Sequence, residues 1–330
     1  IIESAPDWNI SRNRYWATPL PIWKEKGGKG VMVIGSLEEL KKRVKKSGNA
    51  YFIMRHGEAV DNAKNIEDLY GDPKNHLTEK GKEGVMNTAS NLKREHIDII
   101  FTSPFVRTRE TASIVQKELG LPDDAVVVDE RLHERNEQDL GEVRRRVGEF
   151  LFDTERRYSG KNILIVGHGS PLWVLSHVAD GQTLGKFQDR VMLGLAESRA
   201  LPFSPFPHNE EYELDLHRPW IDALTLVDDG GREYERIPEV VDCWMESASM
   251  PFATDSKMPA DFIAEYIAQT RTWFYYLHAL GIMLFKKRAF NAVVSTGTVL
   301  AKDGAKISKS KGNYTDPLVL MDQYGADAFR

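Results

Sequence analysis

The sequence has a single cysteine, Cys243, in 330 residues. One thiol excludes an internal disulfide framework and a thiolate zinc knuckle, and it fits a reducing, cytoplasmic compartment. No apolar run approaches the roughly 18 residues needed to span a membrane. The opening "IIESAPDWNISRNRYW" lacks the positive start, apolar centre and cleavage site of a signal peptide. There is no excess of positive charge either. The net charge is −5, so no global basic field attracts nucleic acid, and any RNA contact has to be local or lie outside this chain. Internal repeats are absent. So is an initiator Met, and "DQYGADAFR" stops inside a helical pattern, so both ends read as those of a fragment. What remains is 41% hydrophobic and 28% charged, the balance of a soluble globular protein long enough for two ordinary domains.

The middle of the chain alternates strands and helices. "AYFIM", "IDIIFTS", "AVVVD" and "NILIVGHG" read as strands. Helices are expected after Thr78, over "RTRETASIVQKEL" up to Gly120 and Pro122, over 142–158 and over 171–179. That alternation implies parallel pairing in an α/β layer fold. The run "LPFSPFPHNEEYE", residues 201–213, has the composition of a linker. Beyond it, residues 261–285 read as one long apolar helix with polar breaks, followed by a strand, "NAVVSTGTVLA", and the loop "KDGAKISKSKGN".

Three strands of the middle segment end in residues suited to phosphate: Arg55-His56-Gly57, then Thr102-Ser103-Pro104 with Arg107 and Arg109 a turn further on, then Gly167-His168-Gly169. Open α/β sheets bind ligands beyond the carboxyl ends of their strands, so two histidines and two or three arginines should gather in one place. Arginine forks hold phosphoryl oxygens, a neutral imidazole can attack phosphorus, and flanking glycines permit close approach of the backbone. A lone Arg-His-Gly would carry no weight; the ordered series does. It resembles the histidine phosphatase (phosphoglycerate-mutase-like) superfamily over roughly residues 49–200. The resemblance implies His56 as nucleophile, Arg55, Arg107 and His168 as its phosphate pocket, Asn62 as support and Glu134 as general acid, with no cofactor and a phosphorylated small molecule as ligand. "RLHERNEQDLGE" departs from the family's usual continuation around that acid. His133 and His177 read as structural or exposed, and Glu58 and Asp61 as loop carboxylates.

Joined across the middle, the flanks give "DWNISRNRYWATPLPIW", "ELDLHRPWIDALTL", "DFIAEYIAQTRTWFYYLHALG" and "VVSTGTVLAKDGAKISKSKGNYTDP". This series resembles the second half of the catalytic core of the class I aminoacyl-tRNA synthetases, with wording closest to their isoleucine-specific family. A Lys/Ser loop alone is usually a solvated surface, but this one follows a strand. The resemblance implies that Lys306, Ser308, Lys309 and Ser310 bind ATP, supplied with Mg2+, by closing ammonium groups over the triphosphate. Glu265, Gln269 and Trp273 fall at i, i+4 and i+8 of the expected helix, on one stripe. The resemblance places these positions around the aminoacyl adenylate, with Trp273 walling the side-chain pocket and Trp16 as a second wall; the bland alternative is a stripe facing solvent. Such a pocket separates isoleucine from valine by only ~1–3 kcal/mol, which is why the family adds an editing site.

Departures from the family are Ala17, "ESAS" at 246–249, Thr296 and Ile307, and "VDDGGREY" at 227–234 runs without ligands where many relatives carry zinc. No metal is expected. No His-Ile-Gly-His element occurs, so this chain alone is not expected to form adenylate. The expected fold is therefore α/β: part of a Rossmann-like synthetase catalytic domain, residues 1–47 and 209–330, interrupted by a three-layer histidine-phosphatase-like domain at 48–208. The parent would be a monomeric ligase taking isoleucine, ATP and tRNA(Ile), with no membrane partner. The alternatives are a phosphomonoester hydrolase or mutase working through a phosphohistidine, and a non-catalytic phosphate-binding insert.

Overall fold

Two apolar segments, Tyr51–Met54 and Ile163–Val166, anchor the middle of the chain. In the computed structural model, which describes residues 7–182, 192–254, 257–301 and 303–329, they are neighbouring strands at the heart of a five-stranded sheet. Ile163 to Val166 are all fully buried, the pattern of a parallel strand covered on both faces. The order across the sheet is Val126–Val128, Ile99–Thr102, Asn162–Gly167, Ala50–Arg55 and Ser198–Leu201. The first four are parallel and the last is antiparallel. Helices Glu79–Leu92 and Val106–Leu119 pack one face around Val85, Ala112 and Leu164; helices Leu140–Arg157 and Gly169–Asp180 pack the other around Phe150, Ile165 and Trp173. This is a three-layer α/β domain. Its helix starts are local chemistry: Thr78 accepts from Gly81 N–H and Asp139 from Glu142 N–H, each satisfying an otherwise orphaned donor.

Residues 201–213, a linker by composition, are packed. Phe206 belongs to the core, and Phe152 contacts the rings of Phe203, Phe206, His208 and Tyr212. Arg144, 1% exposed, donates to Glu211 O and Tyr212 O at 2.7 Å each. The prolines leave few N–H groups to satisfy, while the aromatic residues between them bury their rings.

The same compact unit, Thr18–Glu239, contains a four-stranded antiparallel sheet built from both sides of that domain: Val31–Val33, Ile22–Glu25, Glu233–Arg236 and Thr225–Val227. Trp23, Leu40, Val44, Leu226 and Tyr234 form its core. Lys45 N–H donates to Thr225 O at 2.9 Å, so the chain leaves this sheet and returns to it at adjacent points. Residues 227–234 form a hairpin whose turn is held by Asp228, which accepts from Gly230 N–H and Arg232 N–H.

The second unit comprises Ile1–Ala17 and Val240–Arg330. Ser11–Arg12 pairs with Val240–Val241, and Arg12 bridges Asp242 at 2.7 Å, the N-cap of helix Cys243–Ala253. Here the structure corrects the sequence reading. Residues 261–285 are three elements: a strand, Ala260–Tyr266; a 3-10 turn, Ile267–Arg271; and a helix, Trp273–Phe285. The strand pairs in parallel with Phe290–Thr296, setting Glu265 opposite Ser295. A partner that lies on the far side of the helix leaves no trace in the local period, so apolar spacing alone read the strand as a helix. Glu265, Gln269 and Trp273 therefore do not share a helical stripe. Gln269 is buried and its Oε1 accepts from the Thr272 hydroxyl and from Trp273 N–H, the latter at 3.2 Å, capping the helix.

Candidate functional site

Strand register brings the charged ends of the three-layer domain together. Arg55 lies opposite Gly167 and Thr102 opposite Val166, so His56, Ser103 and His168 follow at one edge of the sheet. Arg107 enters from the first turn of the next helix; Arg109 on the same turn is exposed and does not join. His56 is 2% exposed and His168 fully buried, with ring centroids 5.3 Å apart. Burial, reinforced by Arg107 and Arg55, lowers the His56 pKa to about 3; burial also holds His168 well below its ordinary value. Both rings are neutral at physiological pH.

Their tautomers follow from their partners, because a guanidinium can only donate. Arg107 Nε–H points to His56 Nε2 at 3.3 Å, and His56 Nδ1–H donates to Gly57 O at 2.8 Å. Arg107 Nη2 donates to His168 Nδ1 at 3.2 Å, so His168 Nε2–H donates to Ser103 Oγ at 2.8 Å. His56 thus carries its lone pair on Nε2, toward the arginine. Arg55 donates through Nη1 to Leu193 O at 3.0 Å, while its buried Nε–H has no partner among the described residues. Glu134 Oε2 lies 3.7 Å from His168 Nδ1, and burial raises its carboxyl pKa. Asn62 is placed differently: its Oδ1 accepts from Ala59 N–H at 3.0 Å and closes the turn after the histidine loop. His133 Nδ1 contacts Glu134 O and His177 Nδ1 contacts Trp173 O, neither in the cluster.

Two residues of this site were not foreseen. Asp68 bridges Arg107 at 2.5 Å, with both side chains under a tenth exposed. Its sequence signal, Asp-Leu-Tyr-Gly at 68–71, marks a turn but not the ion pair. Arg146 donates to Arg131 O, Glu134 O and Gln138 Oε1, fixing the segment that carries Glu134, and burial lowers its pKa to about 10. In the run Arg144-Arg145-Arg146 it reads as solvated charge.

In the other unit the lysine loop follows strand Phe290–Thr296, with Gly304 and Gly312 both at positive φ. Asn313 Oδ1 accepts from Ser308 N–H at 2.9 Å and its Nδ2 donates to Lys306 O at 3.2 Å, so this side chain shapes the loop. Ser308 and Ser310 hydroxyls are 2.7 Å apart, and Lys306 is exposed. The Lys309 side chain lies outside the described residues. Glu265 is exposed, Trp273 half-buried and Trp16 67% exposed.

A family model for tRNA synthetases class I (I, L, M and V) matches residues 1–86 and 206–330, well over half of the chain. The chain belongs to the class I tRNA synthetases. A second model, histidine phosphatase superfamily (branch 1), matches residues 51–141 and 137–204, so a histidine-phosphatase-like α/β domain interrupts this synthetase. The isoleucine–tRNA ligase of Nocardia farcinica is 50% identical over 196 residues, 48% of this synthetase chain and 19% of that protein. That of Streptomyces avermitilis is 47% identical over 135 residues, 37% of this chain and 13% of its own length. The chain thus spans less than a fifth of the relatives it matches. Among solved structures, Bacillus stearothermophilus YhfR aligns with TM-score 0.42 and 21% identity, over 56% of this chain and 94% of its own. A mycobacterial glucosyl-3-phosphoglycerate phosphatase in complex with VO3 aligns with TM-score 0.40 and 18% identity, over 46% and 91%. Among the described residues no helix is long and apolar enough to cross a membrane.

Proposed function

We propose that the chain is part of an isoleucine–tRNA ligase whose catalytic half, about residues 1–47 and 209–330, carries a histidine-phosphatase-like guest at 48–208. The full parent, in the cytoplasm, joins isoleucine to ATP with Mg2+ and passes it to tRNA(Ile). The identity of the flanks to isoleucine–tRNA ligases is the observation that carries this reading. Lys306 and Lys309 close over the triphosphate, with Ser308 and Ser310 as hydrogen-bonding support; Glu265, Gln269, Trp273 and Trp16 border the adenylate. The complete reading frame tests the assignment. It should encode a His-x-x-His element and an editing domain upstream of Ile1, and a frame with neither removes the ligase reading.

A second activity is favoured by the guest site. A buried Arg55 N–H without a partner among the described residues suits an anionic oxygen, and His56 Nε2 carries a lone pair at neutral pH. In the reaction we propose, His56 Nε2 attacks the phosphorus of a phosphomonoester and the P–O(alkyl) bond breaks. The Glu134 carboxyl, whose pKa burial raises, gives its proton to the departing alkoxide. Water then attacks the phosphohistidine, Glu134 takes its proton, and phosphate leaves. Hydrolysis of a generic phosphomonoester, lost in His56→Ala, tests this. Phosphate binding without turnover in the folded wild-type chain would instead mark a binding module.

A further inference from the structure

The two arginines of the guest site are in opposite states. Arg55 keeps a buried N–H free of any described partner, whereas Arg107 is almost saturated. Of the five N–H groups of a guanidinium, Arg107 directs four to protein atoms. Nε–H goes to His56 Nε2 at 3.3 Å, one Nη1–H to Asp68 Oδ2 at 2.5 Å, and the two of Nη2 to Asp68 O at 2.9 Å and His168 Nδ1 at 3.2 Å. A phosphoryl group placed here would find half the pocket occupied by a carboxylate. It would also find the attacking nitrogen already accepting a hydrogen bond.

The segment that supplies this carboxylate is built to present it. Asp68 Oδ1 accepts from Tyr70, Gly71 and Asp72 N–H at 3.2, 2.7 and 3.1 Å, and Oδ2 accepts from Asn75 Nδ2 at 2.9 Å. A single side chain thus organises the turn and docks it. Gly71, at φ +79°, lies so near Phe105 that a Cβ would stand 2.7 Å from the ring, and Phe105 in turn packs against Arg107 and His168. The segment is anchored at its far end, where Asn75 and Leu77 are buried and Leu77 N–H donates to Glu110 at 2.7 Å, and more lightly before it. Residues 63–67 and 72–74 are exposed, no strand or helix lies between Lys64 and Thr78, and the Tyr70 hydroxyl donates to the exposed Glu137 carboxylate.

We propose that the Asp68 segment is an intramolecular competitor for the phosphoryl site, its carboxylate occupying Arg107 until an incoming phosphate displaces it. This rests on the reading of the guest site as a phosphate site. A dianion outcompetes a monoanion for a guanidinium fork, so the displacement is favourable for phosphate and unfavourable for neutral or weakly charged ligands. Phosphate docking would free His56 Nε2 and undock the segment in one event, and the apparent affinity is reduced by the fraction of molecules in the docked state.

The test is calorimetric titration of inorganic phosphate into the 330-residue chain and its Asp68→Asn and Arg107→Ala variants, with amide exchange followed in the wild type. The expected result is that Asp68→Asn binds phosphate on the order of tenfold more tightly, the scale of one charged hydrogen bond removed from competition. Arg107→Ala should lose binding, and phosphate should speed exchange at Gly71 and Asp72 in the wild type. If wild-type binding depends on Arg107 but Asp68→Asn binds equally or more weakly, Asp68 is a buttress and the proposal is overturned while the phosphate site stands. If neither wild type nor Asp68→Asn binds phosphate, the phosphate reading itself falls. Should Asp68→Asn not fold, the wild-type exchange decides: slower exchange at Gly71 and Asp72 with phosphate contradicts displacement.

Discussion

At the scale of single residues, the guest site is a set of buried groups kept neutral or paired. His56 and His168 stay unprotonated because burial penalises their charged forms. The sign of the consequence is definite. With folded pKa values below the ordinary 6.5, the unfolded chain binds more protons than the folded one as pH falls from about 6.5 toward 3, so stability drops on acidification. Each histidine contributes a slope of up to ~1.4 kcal/mol per pH unit. The raised Glu134 carboxyl acts oppositely: its contribution is full below about 4.5 and is lost as pH rises through its folded value. Urea unfolding across this window should show the net fall, and His56→Asn should flatten it; an unchanged slope would contradict the burial argument. Gly57 has a use that the sequence did not reveal. A Cβ there would stand 2.7 Å from Val85 Cγ2 and 2.8 Å from Gly81 O, so this glycine admits the helix Glu79–Leu92 rather than a ligand. Gly57→Ala should cost roughly 1–3 kcal/mol by overpacking, measured by denaturant unfolding.

At the scale of elements, the guest was legible because its signals are local. Thr78 and Asp139 cap helices, Gly120 ends one at φ +67°, and apolar strands announce a parallel sheet. The gathering of His56, Arg107 and His168 was legible too, since strand ends in a parallel sheet converge. What escaped were pairings with distant partners: the strand Ala260–Tyr266, which needs Phe290–Thr296; the edge strand Ser198–Leu201, too short to show alternation; and Asp68, which finds Arg107 across an irregular segment. Gln269 illustrates the cost of the misreading. It does not sit on a helical stripe; its Oε1 caps the helix that begins at Trp273. Gln269→Ala should therefore lower the stability of that unit by ~1 kcal/mol, the usual loss of a capping side chain. Equal thermal stability of variant and wild type would count against the capping role.

At the scale of the whole molecule, a histidine-phosphatase-like segment interrupts a class I synthetase sequence. The four-stranded sheet that joins Ile22–Glu25 to Glu233–Arg236 holds the ends of the interruption side by side, which lets a complete α/β domain sit between them without breaking the host's pairing. In the proposed reading the guest contributes His56 and the host contributes Lys306, two chemistries that share one chain but no residue. The central claim is that the host is the isoleucine-activating part of the parent. Isoleucine-dependent ATP–pyrophosphate exchange by the full-length parent, compared with Lys306→Ala, tests it most directly. Exchange with isoleucine that falls by about 10²-fold or more in the variant is the predicted result. No isoleucine-dependent exchange, or exchange untouched by loss of the Lys306 ammonium, would contradict it.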